Sequence, residues 1–253
     1  MGIEGPGKDK PLQGTDPTTY SYLPPQGELR ELGTVRSLGE SPEYENAVAE
    51  HEGEVLYAIR ENSDPAEQQM AARLLKGFIN VSDVVKVGDT FYSRKMPHTE
   101  IKETLSMDEA TADVELLNLI LDDSDHKLFP ISSAQEFHNV IAGGNGNDPQ
   151  RTYSYHDFDF AHLTSTRLNQ RNPLTLPGVT RLQYKIQELK HFYLSPEGKK
   201  TAESIYEDAV RNGAKHVPGT KEEFYIVLTT RIARAEEIAQ EVFDKLSEVR
   251  KAA

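Results

Sequence analysis

The sequence predicts an α+β protein, with a small antiparallel sheet carrying one helix toward the N-terminus and a mainly helical remainder. Three observations carry this expectation. Short β-rich apolar runs bounded by Gly, Asp and Pro crowd between about 28 and 96. Beyond Ser106, apolar residues recur at three- and four-residue spacing over long stretches. At 253 residues, the chain is long enough for one large domain or for two lobes sharing a cleft.

Residues 1–27 are rich in Gly, Pro, Thr and Asp without periodicity and read as a mobile tail, with Tyr20, Tyr22 and Leu23 available to lie on the body. From 28 to 60 the pattern is strand-like. A first run ends near Leu38-Gly39, Tyr44–Glu50 follows, His51–Glu54 reads as a turn, and Val55–Arg60 is β-rich. Asn62-Ser63-Asp64-Pro65-Ala66-Glu67 is a helix start, with a capping residue followed by Pro and acid in the first turn. That helix stops near Gly77. Val84–Val87 and Thr90–Met96 then form a strand pair about the Gly88-Asp89 turn, and Pro97 ends it. Ser106 caps a helix with Ala110, Val114, Leu117, Ile120 and Leu121 on its apolar positions. The polar break Asp122–Lys127 follows. A hairpin is expected from about 137 to 160, with Gly143–Pro149 at its tip. Helices are expected over about 177–194, 197–212 and 220–250. In the last, Leu228, Ile232, Ala235, Ala239, Val242, Leu246 and Val249 form a narrow apolar seam, which packs along the same domain or joins two copies as a homodimer.

Composition excludes several functions. A formal charge of −13 argues against a nucleic-acid binder, which needs a basic surface to displace counterions from phosphates. A nucleotide needs only a few local groups and is not excluded. With no Cys, disulfides, thiolate metal sites and Cys nucleophiles are ruled out. No apolar run approaches the roughly 20 residues of a membrane span, and the N-terminus lacks the apolar core of a secretory signal. A cytoplasmic location with no membrane partner is the expectation.

The chemistry concentrates at Tyr153-Ser154-Tyr155-His156-Asp157-Phe158-Asp159-Phe160-Ala161, preceded by His138-Asn139-Val140-Ile141. On an extended strand Asp157 and Asp159 share one face, because side chains alternate with period two. Magnesium prefers such hard oxygen ligands, usually one or two carboxylates plus substrate phosphates. Together with Asn139 one hairpin upstream, the acids resemble the metal-binding half of a protein-kinase-like site. The order of strands, helix, strands, helix, polar loop and hairpin over about 30–165 is similar to the two-lobed kinase-like fold. Among its members, the small-molecule phosphotransferases of the aminoglycoside, choline and lipid-kinase type are most similar.

This resemblance implies an N-lobe over 28–96, made of a sheet plus one helix, and a helical C-lobe over 97–253 with a metal-binding hairpin and a long C-terminal helix. Segment 93–99 would be the hinge. It further implies ATP and magnesium as cofactors and transfer of a phosphoryl group to a hydroxyl of a small molecule or protein. Arg60 stands where such enzymes carry a phosphate-binding Lys, and Glu67 where a helix Glu fixes that cation. Gly39 stands in the region of the Gly-rich loop over the phosphates. Asn139, Asp157 and Asp159 would hold magnesium. The base that orients the acceptor would be Asp125, which follows the helix as the family's Asp does, or Glu136, which lies closer to Asn139. The acceptor itself is not readable.

Some residues depart from the family pattern. Arg replaces Lys at 60, only Gly33 and Gly39 stand in the loop region, and Glu40 and Glu43 flank it. These departures support one alternative, a catalytically inactive pseudokinase scaffold, and the long C-terminal seam supports another, a helical interaction protein assembling through its C-terminal helix. His126, His138, His156 and His162 raise a third, a zinc or iron cluster with nearby Asp, although no pair has the i, i+4 helical metal spacing.

Overall fold

A computed structural model describes residues 30–36, 45–51, 54–59, 64–94, 103–122, 140–143, 150–155, 158, 162–164, 168 and 172–252. Among the described residues, seven strands and five helices follow in the order β1 (Arg30–Arg36), β2 (Glu45–His51), β3 (Glu54–Ala58), α1 (Pro65–Leu75), β4 (Asp83–Val87), β5 (Thr90–Arg94), α2 (Met107–Leu121), β6 (Val140–Gly143), β7 (Thr152–Tyr155), α3 (Leu176–Tyr193), α4 (Pro196–Arg211) and α5 (Lys221–Ala252). The described residues are thus α+β and mostly helical, as the sequence predicts.

The first five strands form one antiparallel sheet in the order β1-β2-β3-β5-β4. His51 pairs with Glu54, so both ends of the expected turn lie in strands, and Glu52 and Gly53 lie outside the described residues. At the β4–β5 turn, Gly88 has φ +61, a left-handed conformation that glycine adopts without a Cβ penalty. Val84 and Phe91 share one face of the sheet and join the core, while Leu56 and Val85 are buried on the opposite face. Helix α1 crosses from β3 to β4, and Ala66, Met70, Ala71, Leu74 and Leu75 turn its apolar side inward. Its last turn is closed by Tyr193, whose buried hydroxyl donates to the Leu74 carbonyl at 2.7 Å. That carbonyl is among the last four of the helix, which have no helical N–H to receive.

Helix α2 is the axis of the helical part. Ser106 and Glu109 form a complete capping box: the Ser hydroxyl accepts the Glu109 N–H, and the Glu carboxylate accepts the Ser106 N–H. All the apolar positions read from the sequence are buried, and Ala112, Leu116 and Leu119 are too. A helix apolar on nearly every side belongs inside a bundle, and α2 packs against α3 and α5. Truncating a side chain such as Leu117, which is fully buried, costs about 2–5 kcal/mol.

Helices α3 and α4 meet at a sharp corner. Ser195 caps α4 by accepting the Gly198 N–H at 3.0 Å. A Cβ at Gly198 would lie 2.0 Å from the Phe192 carbonyl oxygen, so the corner admits only glycine there. Helix α5 resolves its seam along its length: Leu228, Ile232, Ala235 and Ala239 are buried, Val242 and Leu246 are partly buried, and Val249 is 68% exposed. Its buried part packs on α2, α3 and α4. No helix among the described residues is long and apolar enough to cross a membrane.

The β6–β7 hairpin connects the sheet to the bundle. Val140 lies across from Tyr155 and Gly143 across from Thr152. On one side, Ser82 donates its N–H to the Tyr155 carbonyl and Tyr155 donates to Asn80, both at 2.8 Å. On the other, Arg151 and Leu105 exchange backbone hydrogen bonds of 2.7 and 2.9 Å. The hairpin is therefore held between the approach to β4 and the approach to α2.

Candidate functional site

The candidate site begins where β7 ends. Tyr155 is fully buried, and its hydroxyl lies 3.3 Å from both the Ala110 carbonyl and the Asp113 carboxylate. Burial pushes its phenol well above the usual value, and the Asp113 charge adds to this. Asp113 in turn takes a forked pair of hydrogen bonds from Arg181, at 2.7 Å from Nε and 3.0 Å from Nη2. Arg181 also grips Glu103 at 2.7 and 3.1 Å. Burial works against the Arg181 charge, but hydrogen bonds and the charges of Glu103 and Asp113 outweigh it and hold the guanidinium above its usual pKa. Bidentate pairs of this kind fix geometry as well as energy. Here they join α3 to α2 and to Glu103, while the Tyr155 hydroxyl ties the last residue of β7 to the same Asp113 on α2.

Beyond β7, Phe158 is fully buried. Then His162 donates its backbone N–H to Leu121, the last residue of α2, at 2.7 Å, and Leu163 donates to the His216 carbonyl at 3.3 Å. Helix α2 closes on Asp122 in the left-handed conformation (φ 57). Beneath that end lies Arg231 of α5, fully buried, which donates to the Ile120 carbonyl at 2.9 Å. Burial pulls its pKa down to about 10, against the favourable charge of Asp122.

A third element joins from α1. Glu67 is buried in the first turn, and its Oε1 accepts the backbone N–H groups of Lys215 at 2.5 Å and His216 at 3.0 Å. These residues belong to the connection between α4 and α5. The His216 Nδ1 lies 3.5 Å from Glu67 Oε1 and 3.9 Å from Asp64 Oδ2. Asp64 occupies the cap position of α1 but makes no side-chain cap hydrogen bond, and its backbone is left-handed at φ 45. The other Asp64 oxygen sits 3.4 Å from the Lys215 ammonium. The His162 and His216 rings meet edge-on with centroids 4.4 Å apart. Asp64, Glu67 and His216 each offer one ligand atom within 4.8 Å of the others.

Among the expected site residues, Glu67 lies on α1, and its described partners are the two backbone donors and His216. Arg60, Gly39, Asp125, Glu136, Asn139, Asp157 and Asp159 lie outside the described residues. So do His126, His138 and His156, while His162 is found against His216. Sequence reasoning missed His216 and the carboxylate role of Asp64. His216 stands in a polar turn between two helices, and nothing local ties it to an acid 149 residues earlier.

No family model and no curated protein matches the chain. Among solved structures, the chain is similar to the crystal structure of the Rio2 kinase–ADP/Mg2+–phosphoaspartate complex from Chaetomium thermophilum. The identity is 16% and the TM-score 0.29, with 85% of this chain and 72% of the other covered.

Proposed function

We propose that the protein is a kinase-like phosphotransferase that uses ATP and magnesium to phosphorylate a hydroxyl group. In this reading Asn139 and Asp157 hold the metal with help from Asp159, Arg60 neutralises phosphate, Glu67 and Gly39 belong to the nucleotide side, and Asp125, with Glu136 as the alternative, orients the acceptor hydroxyl. The observation that carries it is the register of the β6–β7 hairpin. Val140 is paired with Tyr155, and these are the residues from which the chain leads to Asn139 and to Asp157. Two features support it further. The segment after β7 is hydrogen-bonded to the last residue of α2 through His162 and Leu121, and α2 leads directly into the acidic run Asp122-Asp123-Ser124-Asp125. The sheet order β1-β2-β3-β5-β4, with α1 between β3 and β4 in the chain, is a small antiparallel sheet carrying one helix, and this supports the reading.

A second reading, a pseudokinase scaffold, is favoured by Arg at position 60 and by Glu40 and Glu43 beside Gly39. One experiment decides between them. Ligand at about 100 times its Kd stabilises by about 2.7 kcal/mol. For a chain of this size that raises the melting temperature by roughly 5–10 °C. ATP with magnesium is expected to produce such a shift in the wild type and none in Asp157→Ala. The absence of a shift at millimolar ATP refutes the phosphotransferase.

A further inference from the structure

We propose that the groove where the end of α5 meets the starts of α2 and α3 is a docking surface for a second copy of this chain, paired about a two-fold axis. The surface lies apart from the residues assigned to phosphotransfer and does not depend on that reading.

Helix α5 runs antiparallel to α3. Gln183 donates to Gln240 at 3.0 Å and Lys190 to Glu236 at 2.7 Å, so the last turns of α5 come back to the start of α3. An open groove of about 850 Å³ lies there, lined by Leu176, Pro177 and Tyr184 of α3, Glu109 of α2 and Arg250 of α5. Along α3 the lining continues through Thr180 and Arg181, so positions 177, 180, 181 and 184 make one stripe beside the buried face of the helix. The Arg181 guanidinium is committed to Asp113 and Glu103, which leaves its apolar stem to the groove. Tyr184 donates its hydroxyl to Glu188 at 3.0 Å, and the residue is 55% exposed. The seam of α5 runs on into this region. Leu246 is only partly covered, and Val249, on the turn that carries Arg250, is open to solvent.

Two features select a second copy as the occupant. The walls of the groove carry opposite charge, with Asp108 and Glu109 on the α2 side and Arg250 and Lys251 on the α5 side. Glu109 is spent on its capping box, and the side chains of Asp108, Arg250 and Lys251 make no hydrogen bond or ion pair among the described residues. A surface with an acidic wall, an apolar floor and a basic wall is self-complementary under two-fold rotation, which sets the basic wall of each copy against the acidic wall of the other. The same rotation matches apolar surface, since Val249 of each copy supplies a knob for the Leu176–Pro177 floor of the other. In such a contact the rim charges set orientation and the apolar floor carries most of the affinity. Its extent is at the small end of specific interfaces, so the expected dissociation constant is micromolar.

The test is sedimentation equilibrium of the full chain from low micromolar to several hundred micromolar. Salt of about 0.15 M, with a Debye length of about 8 Å, screens the net charge of −13. The wild-type mass is expected to rise from one chain toward two. Val249→Glu is expected to stay at the mass of one chain with an unchanged melting temperature, because the side chain it replaces is exposed. Arg250→Glu and Asp108→Lys are each expected to weaken pairing roughly tenfold or more. Mixed in equal amounts, these two variants are expected to pair again, since each wall then meets its opposite charge. If Asp108→Lys does not fold, Val249→Glu decides alone. A wild type that remains a single chain throughout leaves the groove to some other partner and overturns the proposal. Wild-type pairing in Val249→Glu, or no recovery in the mixture of folded variants, overturns it as well.

Discussion

Replacing Glu67 by Ala separates its anchoring role from any role toward a ligand. The Glu67 side chain is 2% exposed and accepts two backbone N–H groups from the α4–α5 connection. Removing the carboxylate leaves both donors without that partner. An unpaired buried N–H costs about 1–3 kcal/mol. Both donors here are only part-buried, so the lower half of the range applies, and the pair costs about 3 kcal/mol. At roughly 2–4 °C per kcal/mol, the melting temperature falls by about 6–12 °C. Glu67→Gln keeps an acceptor oxygen at the same reach and loses only the charge that strengthens the bonds, so about 1 kcal/mol is expected. Thermal and urea melts followed by circular dichroism, in chelator, measure both. Two results would refute the reasoning: Glu67→Ala melting within a degree of the wild type, or Glu67→Gln as damaging as Glu67→Ala. The second would mean that charge, and not acceptor geometry, holds the connection.

Two further predictions concern the helical body. Arg231 is fully buried and its charge is disfavoured by burial, so Arg231→Met is expected to melt within about 1 kcal/mol of the wild type, and Arg231→Ala to lose about 3–5 kcal/mol through its cavity. Equal losses in denaturant melts would show that the bond to the Ile120 carbonyl, rather than packing, is what α5 contributes. Hydrogen bonds from Lys190 and Gln187 hold the Glu236 carboxyl below its ordinary value of 4.5. A depressed folded pKa stabilises above the unfolded value and loses that contribution as pH falls through the folded one. Glu236→Gln should therefore melt below the wild type at about pH 7 and merge with it at about pH 3. An offset that is the same at both pH values sinks this assignment.

Local signals made much of the architecture legible. Pro65 after Asp64 marks the start of α1, and Ser106 with Glu109 three residues on marks α2. The apolar spacing places α3, α4 and α5 within a residue or two of their observed ends. What spacing does not carry is charge in the interior. Asp113 and Glu115 sit in the apolar run of α2, and Arg231 interrupts the seam of α5, yet all three are buried. Each is held by a distant partner: Asp113 by Arg181, Glu115 by Asn172, and Arg231 by the Ile120 carbonyl. The candidate site divides in the same way. Helix and hairpin patterns show which segments flank it, but the partners of Glu67 come from a turn far downstream, which no local pattern announces.

That distance bears on the order of folding. Glu67 meets backbone donors 148 and 149 residues away, and the segment after β7 reaches forward to His216. Closing so long a loop costs entropy before any contact repays it. During synthesis, α1 and the sheet therefore emerge with the Glu67 carboxylate still in water, and the junction closes only after the α4–α5 turn has been made. If the junction also closes after the folding transition state, Glu67→Ala has a φ value near zero, which chevron kinetics of that variant measure. Loosening it then speeds unfolding and leaves the folding rate nearly unchanged. On that expectation the junction sets the lifetime of the folded state rather than the speed at which it forms.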